Sequence, residues 1–149
     1  MKTLFQPIIL REIKQRVENL QPTSQRQWGK MNVAQMMAHC NAAFEVANGE
    51  KFPPRMFIGR LLGPLLKPVL TNDKPLKRNT PTEKTFVFTD QRDFDTEKTK
   101  LMSSIDRFSS GGEAKVTRHP HPFFGKLTPD QWSSGMFKHL DHHLKQFGV

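Results

Sequence analysis

The sequence predicts an all-α fold, a four-helix bundle with a long irregular excursion between its second and third helices. Three observations predict it. Four stretches carry apolar residues at the three- and four-residue steps of one helical face, two of them open on a cap residue followed three positions later by glutamine, and no set of segments alternates with the period of a sheet.

The first helix opens at Pro7, whose fixed φ suits a first turn, and Ile9, Ile13, Val17 and Leu20 form its apolar stripe. Pro22, Thr23 and Ser24 end it. Asn32, with Gln35 three residues on, caps a second helix that runs to Asn48 and Gly49. Its stripe holds Met36, Met37, Cys40, Ala43, Phe44 and Ala47, with Asn41 and Glu45 on the far side and His39 at the stripe's edge.

From Lys51 to Thr85 the pattern breaks. The run FPPRMFIGRLLGPLLKPVL is apolar but punctuated by proline and glycine, and NDKPLKRNTPTEK is polar, so one or two short helical turns are expected there, covering one end of the core. The prolines argue against the sustained amphipathic helix that a membrane surface would need. Phe86 to Phe88 reads as a short extended piece. A third helix begins near Asp93, carries Phe94, Leu101, Ile105 and Phe108 on one side, and stops at Gly111 and Gly112. The linker that follows, GGEAKVTRHPHPFFGKL, reads as proline-locked and extended, which puts His119 and His121 at a surface or pocket rim.

The last helix holds three of the six histidines. Thr128 caps it, Pro129 takes its first position, Gln131 completes a capping box and Gly148 closes it. At about 100° per residue, Trp132, Met136, Phe137, Leu140, Leu144 and Phe147 fall within an arc of roughly 140°. His143 lies inside that arc and His139 at its edge, whereas His142 lies on the polar side with Gln131, Lys138 and Gln146. Histidines four apart on an inward face can close on one divalent metal, but they need a third ligand from another element. His39 is offered from a matching stripe edge on the second helix, and bundles build their sites from facing helices.

At 149 residues the chain has the length of one domain, residues 1–149, able to bury about two-thirds of its extended surface. Lys and Arg outnumber Asp and Glu by 23 to 14, a net charge of +9 that suits nucleic acid, an anionic surface or a negatively charged small substrate. Of this, the 51–85 excursion carries eight cations against Asp73 and Glu83. A single cysteine excludes an internal disulfide framework and a cysteine-rich zinc finger. No apolar run has the length of a secretory core or a membrane span, so a cytoplasmic protein without a membrane partner is expected.

Three blocks of the chain, RQWGKMNVAQMMAHC (Arg26 to Cys40), HPFFGKLTPDQW (His121 to Trp132) and KHLDHHLKQFGV (Lys138 to Val149), together with the opening MKTLF, resemble the DinB/YfiT-like superfamily of metalloenzymes. Within that superfamily the likeness is to a family of uncharacterised function, and it is loose from Lys51 to Lys84. The resemblance implies a DinB-type bundle with a three-histidine site, one ligand from the second helix and a HxxxH pair from the last. By position these are His39, His139 and His143, with His142 spare and expected, like His119 and His121, at a pocket rim. It also implies a divalent cation, zinc or nickel foremost among those imidazole suits, and a reaction in which a thiol or water is activated. Some members are similar to S-transferases that use a low-molecular-weight thiol such as mycothiol or bacillithiol. Cys40 lies mid-stripe, where a thiol is inert, so the thiol must come from outside.

The leading expectation is therefore a metal-dependent thiol S-transferase or hydrolase acting on a small molecule, with homodimerisation through an exposed helix face. A non-catalytic, stress-related binding bundle is the alternative. A basic nucleic-acid-binding protein ranks third, since the charge sits in a proline-broken loop with no recognition helix.

Overall fold

Every capped stripe of the sequence forms a helix in the computed structural model, which describes residues 1–80 and 82–149. Residue 81, inside the excursion, lies outside the described residues. The elements are α1 (Pro7–Asn19), α2 (Val33–Ala47), α3 (Phe57–Leu66), α4 (Pro68–Thr71), α5 (Phe94–Lys115) and α6 (Pro129–Gln146). No strand occurs among the described residues, so the fold is all-α.

The helix starts follow the local chemistry. Both capping boxes close: Asn32 Oδ1 accepts from the Gln35 N–H at 2.9 Å and Thr128 Oγ1 from the Gln131 N–H at 3.2 Å, while each glutamine side chain accepts the cap residue's own N–H. Asp93 caps α5 by accepting the Thr96 N–H at 2.8 Å. Each such cap contributes about 1 kcal/mol.

The four long helices share one apolar cluster. Ile13, Val17 and Leu20 come from α1 and its end, Met36, Cys40 and Phe44 from α2, Leu101, Ile105 and Phe108 from α5, and Trp132, Leu140 and Leu144 from α6. α2 is the central element, packed against both α5 and α6, while α1 lies across α5 and α6 on the other side. Arg16 fastens α1 to α6, donating to Asp141 at 2.9 Å and to the Val149 carbonyl at 3.0 Å.

The structure corrects the sequence reading in several places. Asn41, assigned to the far side of the second helix, is buried, because α5 covers it and Ser104 Oγ donates to its Oδ1 at 2.7 Å. The excursion holds more than one or two turns: α3 is ten residues long and carries Pro64 inside it. In place of a purely extended piece at 86–88, Lys84–Phe86 form a 3-10 turn against α2, and only from Val87 is the backbone extended. The third helix runs past its glycines to Lys115, with one break at Gly112, whose φ of 57° and ψ of −162° interrupt the helical path. The histidine linker is not extended either. His121 and Gly125 exchange both backbone hydrogen bonds, at 2.9 and 3.0 Å, across a tight turn in which Gly125 takes a φ of 79°.

The polar side of α6 is also less exposed than its sequence suggests. Lys138 and Gln146 are both buried. α4 packs on this side, Leu70 lying against Gly135, and Lys138 Nζ caps the end of α4 by donating to the carbonyls of Val69 and Asn72 and to Asn72 Oδ1. The ammonium thus replaces lost water with three carbonyl-type acceptors.

Candidate metal centre

Packing α2 against α6 brings His39, His139 and His143 together. One ring nitrogen from each lies within 4.8 Å of the other two. The three rings form a triangle with centroid separations of 4.8, 4.8 and 4.7 Å. His39 and His143 are buried; His139 is partly screened, but its Nδ1 is out of reach of solvent and has no hydrogen-bond partner.

The proton positions follow from the neighbours. His39 Nδ1 lies 2.8 Å from the Phe86 carbonyl, which can only accept, so Nδ1 carries the proton and Nε2 the lone pair. His143 Nδ1 lies 2.8 Å from Gln146 Oε1, and the same logic frees its Nε2. Gln146 is in turn fixed by its amide, which donates to the Trp28 carbonyl at 2.7 Å. That bond settles which end of the Gln146 side chain faces the histidine.

Burial holds all three imidazoles below their usual range. Desolvation is the main cause in each case, and the neighbouring histidines add to it at His139 and His143. His143 falls to about 3, and His139 lies well below 6.5. The site therefore holds three neutral rings at physiological pH. His39 Nε2 and His139 Nε2 stand only 2.9 Å apart. Two neutral ring nitrogens at that distance are held in one of two ways: His139 Nε2–H donates to the His39 Nε2 lone pair and leaves His139 Nδ1 an unpaired acceptor, or both Nε2 lone pairs face one cation. The donor set fits a divalent ion: neutral imidazoles with Nδ1 of two rings anchored to acceptors, as is usual for histidine ligands.

The remaining histidines do different things. His142 is half-buried, sits edge-on to Trp28 at 5.5 Å, and lines a cleft of about 860 Å³ on the outer side of α6 together with Arg78, Lys138 and Lys145. Arg78 stacks on Trp28 with its guanidinium 4.1 Å from the ring centroid. His121 packs against Trp132 and Phe124, and its Nδ1 accepts the N–H groups of Phe123 and Phe124 at 3.0 and 3.2 Å. It shapes the turn before α6. His119 lies edge-on to Phe52 at 5.2 Å, away from the triad. Cys40 is fully buried and burial pushes its thiol up, so it remains a protonated core residue.

Sequence reading missed Phe86, Trp28 and Gln146. A backbone carbonyl leaves no signature in sequence, and Trp28 acts through one. Gln146 had a usable signal, since it follows His143 by three residues and so shares its helical face within one turn.

Among curated proteins and among solved structures, no match to this chain is found. One family model does match, that of a protein of unknown function designated DUF1569, over residues 8–148. Matched along nearly its whole length, with all three triad histidines inside the matched span, the chain belongs to the DUF1569 family of proteins of unknown function.

Proposed function

We propose that this protein is a metal-dependent enzyme of the DinB/YfiT-like type, in which Nε2 of His39, His139 and His143 hold one divalent cation and a thiol or a water is the activated group. The observation that carries the reading is the pair of facing Nε2 atoms of His39 and His139, 2.9 Å apart, closed into a triangle by His143. When bound, zinc or nickel supplies a positive charge that makes a thiol or water more acidic and polarises a substrate oxygen. Everything else falls to the chain's own residues.

The Phe86 carbonyl and Gln146 Oε1 take the Nδ1 protons of His39 and His143 and thereby aim both Nε2 lone pairs at one point. Burial keeps the rings neutral, so no proton competes with the ion near pH 7. Three neutral imidazoles bring no negative charge of their own, so an ion held by them would keep its full double charge and would acidify a thiol or water most strongly. Cys40 is buried against Met36 with its Sγ 3.7 Å from the Met36 sulfur, so the thiol of an S-transfer reaction comes from a small external molecule.

The test is metal analysis after chelation and reloading, on the native chain and on His39→Ala, His139→Ala and His143→Ala. About one ion per chain is expected for the native protein, and a loss of at least tenfold in affinity for each variant. A folded native protein that takes up no stoichiometric zinc or nickel overturns the proposal.

A further inference from the structure

Seven of the ten exposed large hydrophobic residues lie between Phe52 and Leu66, and six of these seven belong to α3. Scattered exposed apolar residues need no explanation, but a concentration on one ten-residue helix does. Phe57, Leu61 and Leu65 recur at four-residue steps and are 78, 64 and 76% exposed, so they form one outward ridge.

The helix is held by its opposite face. Gly59 and Gly63 are its buried residues, and a Cβ at Gly59 would stand 2.6 Å from the Phe123 carbonyl oxygen, with Gly63 closer still to the same atom. The Met56 N–H and Arg55 Nε both donate to the Pro122 carbonyl, at 3.0 and 3.2 Å, and pin the N-terminal end. α3 thus sits with its small residues against the 121–125 turn and its large apolar residues in water.

The charges carried by this segment have one sign. No Asp or Glu occurs from Lys51 to Asn72. On the helical circle Arg60 and Lys67 fall between the docked glycine face and the apolar arc, where cations flank an interfacial helix. Neither is in an ion pair among the described residues. A second copy of this chain, itself carrying +9, would bring cations against cations across the ridge. An anionic lipid surface complements both features. The prolines that argue against such binding in the sequence do not prevent the helix, because Pro64 is carried inside it.

We propose that α3 docks this protein on an anionic bilayer surface, with Phe57, Leu61 and Leu65 entering the headgroup region and Arg60 and Lys67 meeting the lipid charges. The contact is peripheral, since no helix among the described residues is long and apolar enough to cross a membrane. It places the cleft and the triad in a protein that works beside a lipid surface, and it does not depend on the metal.

The experiment is sedimentation of the full chain with vesicles of phosphatidylcholine containing roughly one-third phosphatidylglycerol, against phosphatidylcholine alone, at low and high salt. Binding to the anionic vesicles is expected, at least tenfold weaker on neutral vesicles and weaker as salt rises. The triple variant Phe57→Ser, Leu61→Ser, Leu65→Ser is expected to lose at least tenfold in vesicle affinity, and Arg60→Gln with Lys67→Gln to lose the preference for anionic lipid. All five side chains lie on α3 or its end without core contacts, and circular dichroism verifies that the helix content is kept. Failure to sediment with anionic vesicles overturns the proposal. So does unchanged binding of the triple variant, or a dimer in light scattering that the triple variant dissolves, since a second copy then occupies the ridge.

Discussion

Gln146 shows how much of the triad depends on a residue that touches no substrate. Its Oε1 takes the His143 Nδ1 proton and its amide is held by the Trp28 carbonyl, so one side chain sets both tautomer and ring orientation. Replacing it with leucine, Gln146→Leu, keeps the burial and removes the acceptor. Affinity for zinc is expected to fall about 10- to 100-fold, with thermal stability changed far less, as competition with a chromophoric chelator would measure. Unchanged affinity would mean that the bond to His143 is incidental. His121 carries a second prediction. Burial, and then Arg55, lower it to about 4, so between pH 6.5 and 4 the unfolded chain binds a proton that the folded one refuses. Stability from this group is present above pH 6.5 and is lost as pH falls toward 4, at most about 3 kcal/mol. His121→Gln is expected to start less stable at pH 7.5 and to lose less on acidification to pH 4.5, read from thermal midpoints; equal acid sensitivity in both proteins would exclude His121 as a contributor.

Among the elements, α3 stands apart because its identity was hidden by its own residues. Proline and glycine lower helix propensity, so FIGRLLGPLL reads as irregular, yet the two glycines are what allow the helix to sit on the 121–125 turn. The close approach of backbone to backbone offsets the propensity cost. Gly63→Ala is therefore expected to raise helix propensity and still loosen the docking, since its Cβ would meet the Phe123 carbonyl; overpacking of this kind costs about 1–3 kcal/mol. Hydrogen exchange should show faster opening confined to α3 and the 121–125 turn, with α2 and α5 unaffected. Uniform slowing there would show that propensity outweighs contact. The 3-10 turn at Lys84–Phe86 makes a related point: three residues of little intrinsic preference supply the carbonyl that orients His39.

For the whole molecule, the decisive arrangement is the approach of α2 and α6, which begin almost a hundred residues apart and contribute His39 on one side and His139 and His143 on the other. An ion held across that junction links folding to binding, because the unfolded chain offers no assembled site. At about 100 times its dissociation constant, a metal binding only the native state stabilises it by about 2.7 kcal/mol. For a chain of this size that is a rise of roughly 5–10 °C in thermal midpoint. The rise should appear with zinc or nickel, vanish with chelator, and be absent in His39→Ala and His139→Ala alike. A variant that keeps the full rise would remove that histidine from the ligand set.

Local chemistry alone determined the four long helices, their caps, and the inward placement of His39, His139 and His143, because caps and stripes are set by residues within a few positions of each other. The all-α fold was legible for the same reason. What only the tertiary structure decided is which polar groups leave water. Asn41, Lys138 and Gln146 sit on the polar sides of their helices in sequence and are buried in the fold, because distant segments cover them and supply their hydrogen-bond partners. The exposed ridge of α3 is the converse case. Its leucines read in the sequence as a cover for one end of the core and remain outside, because the glycine face makes the closer contact and only one side of a helix can be buried against a single turn.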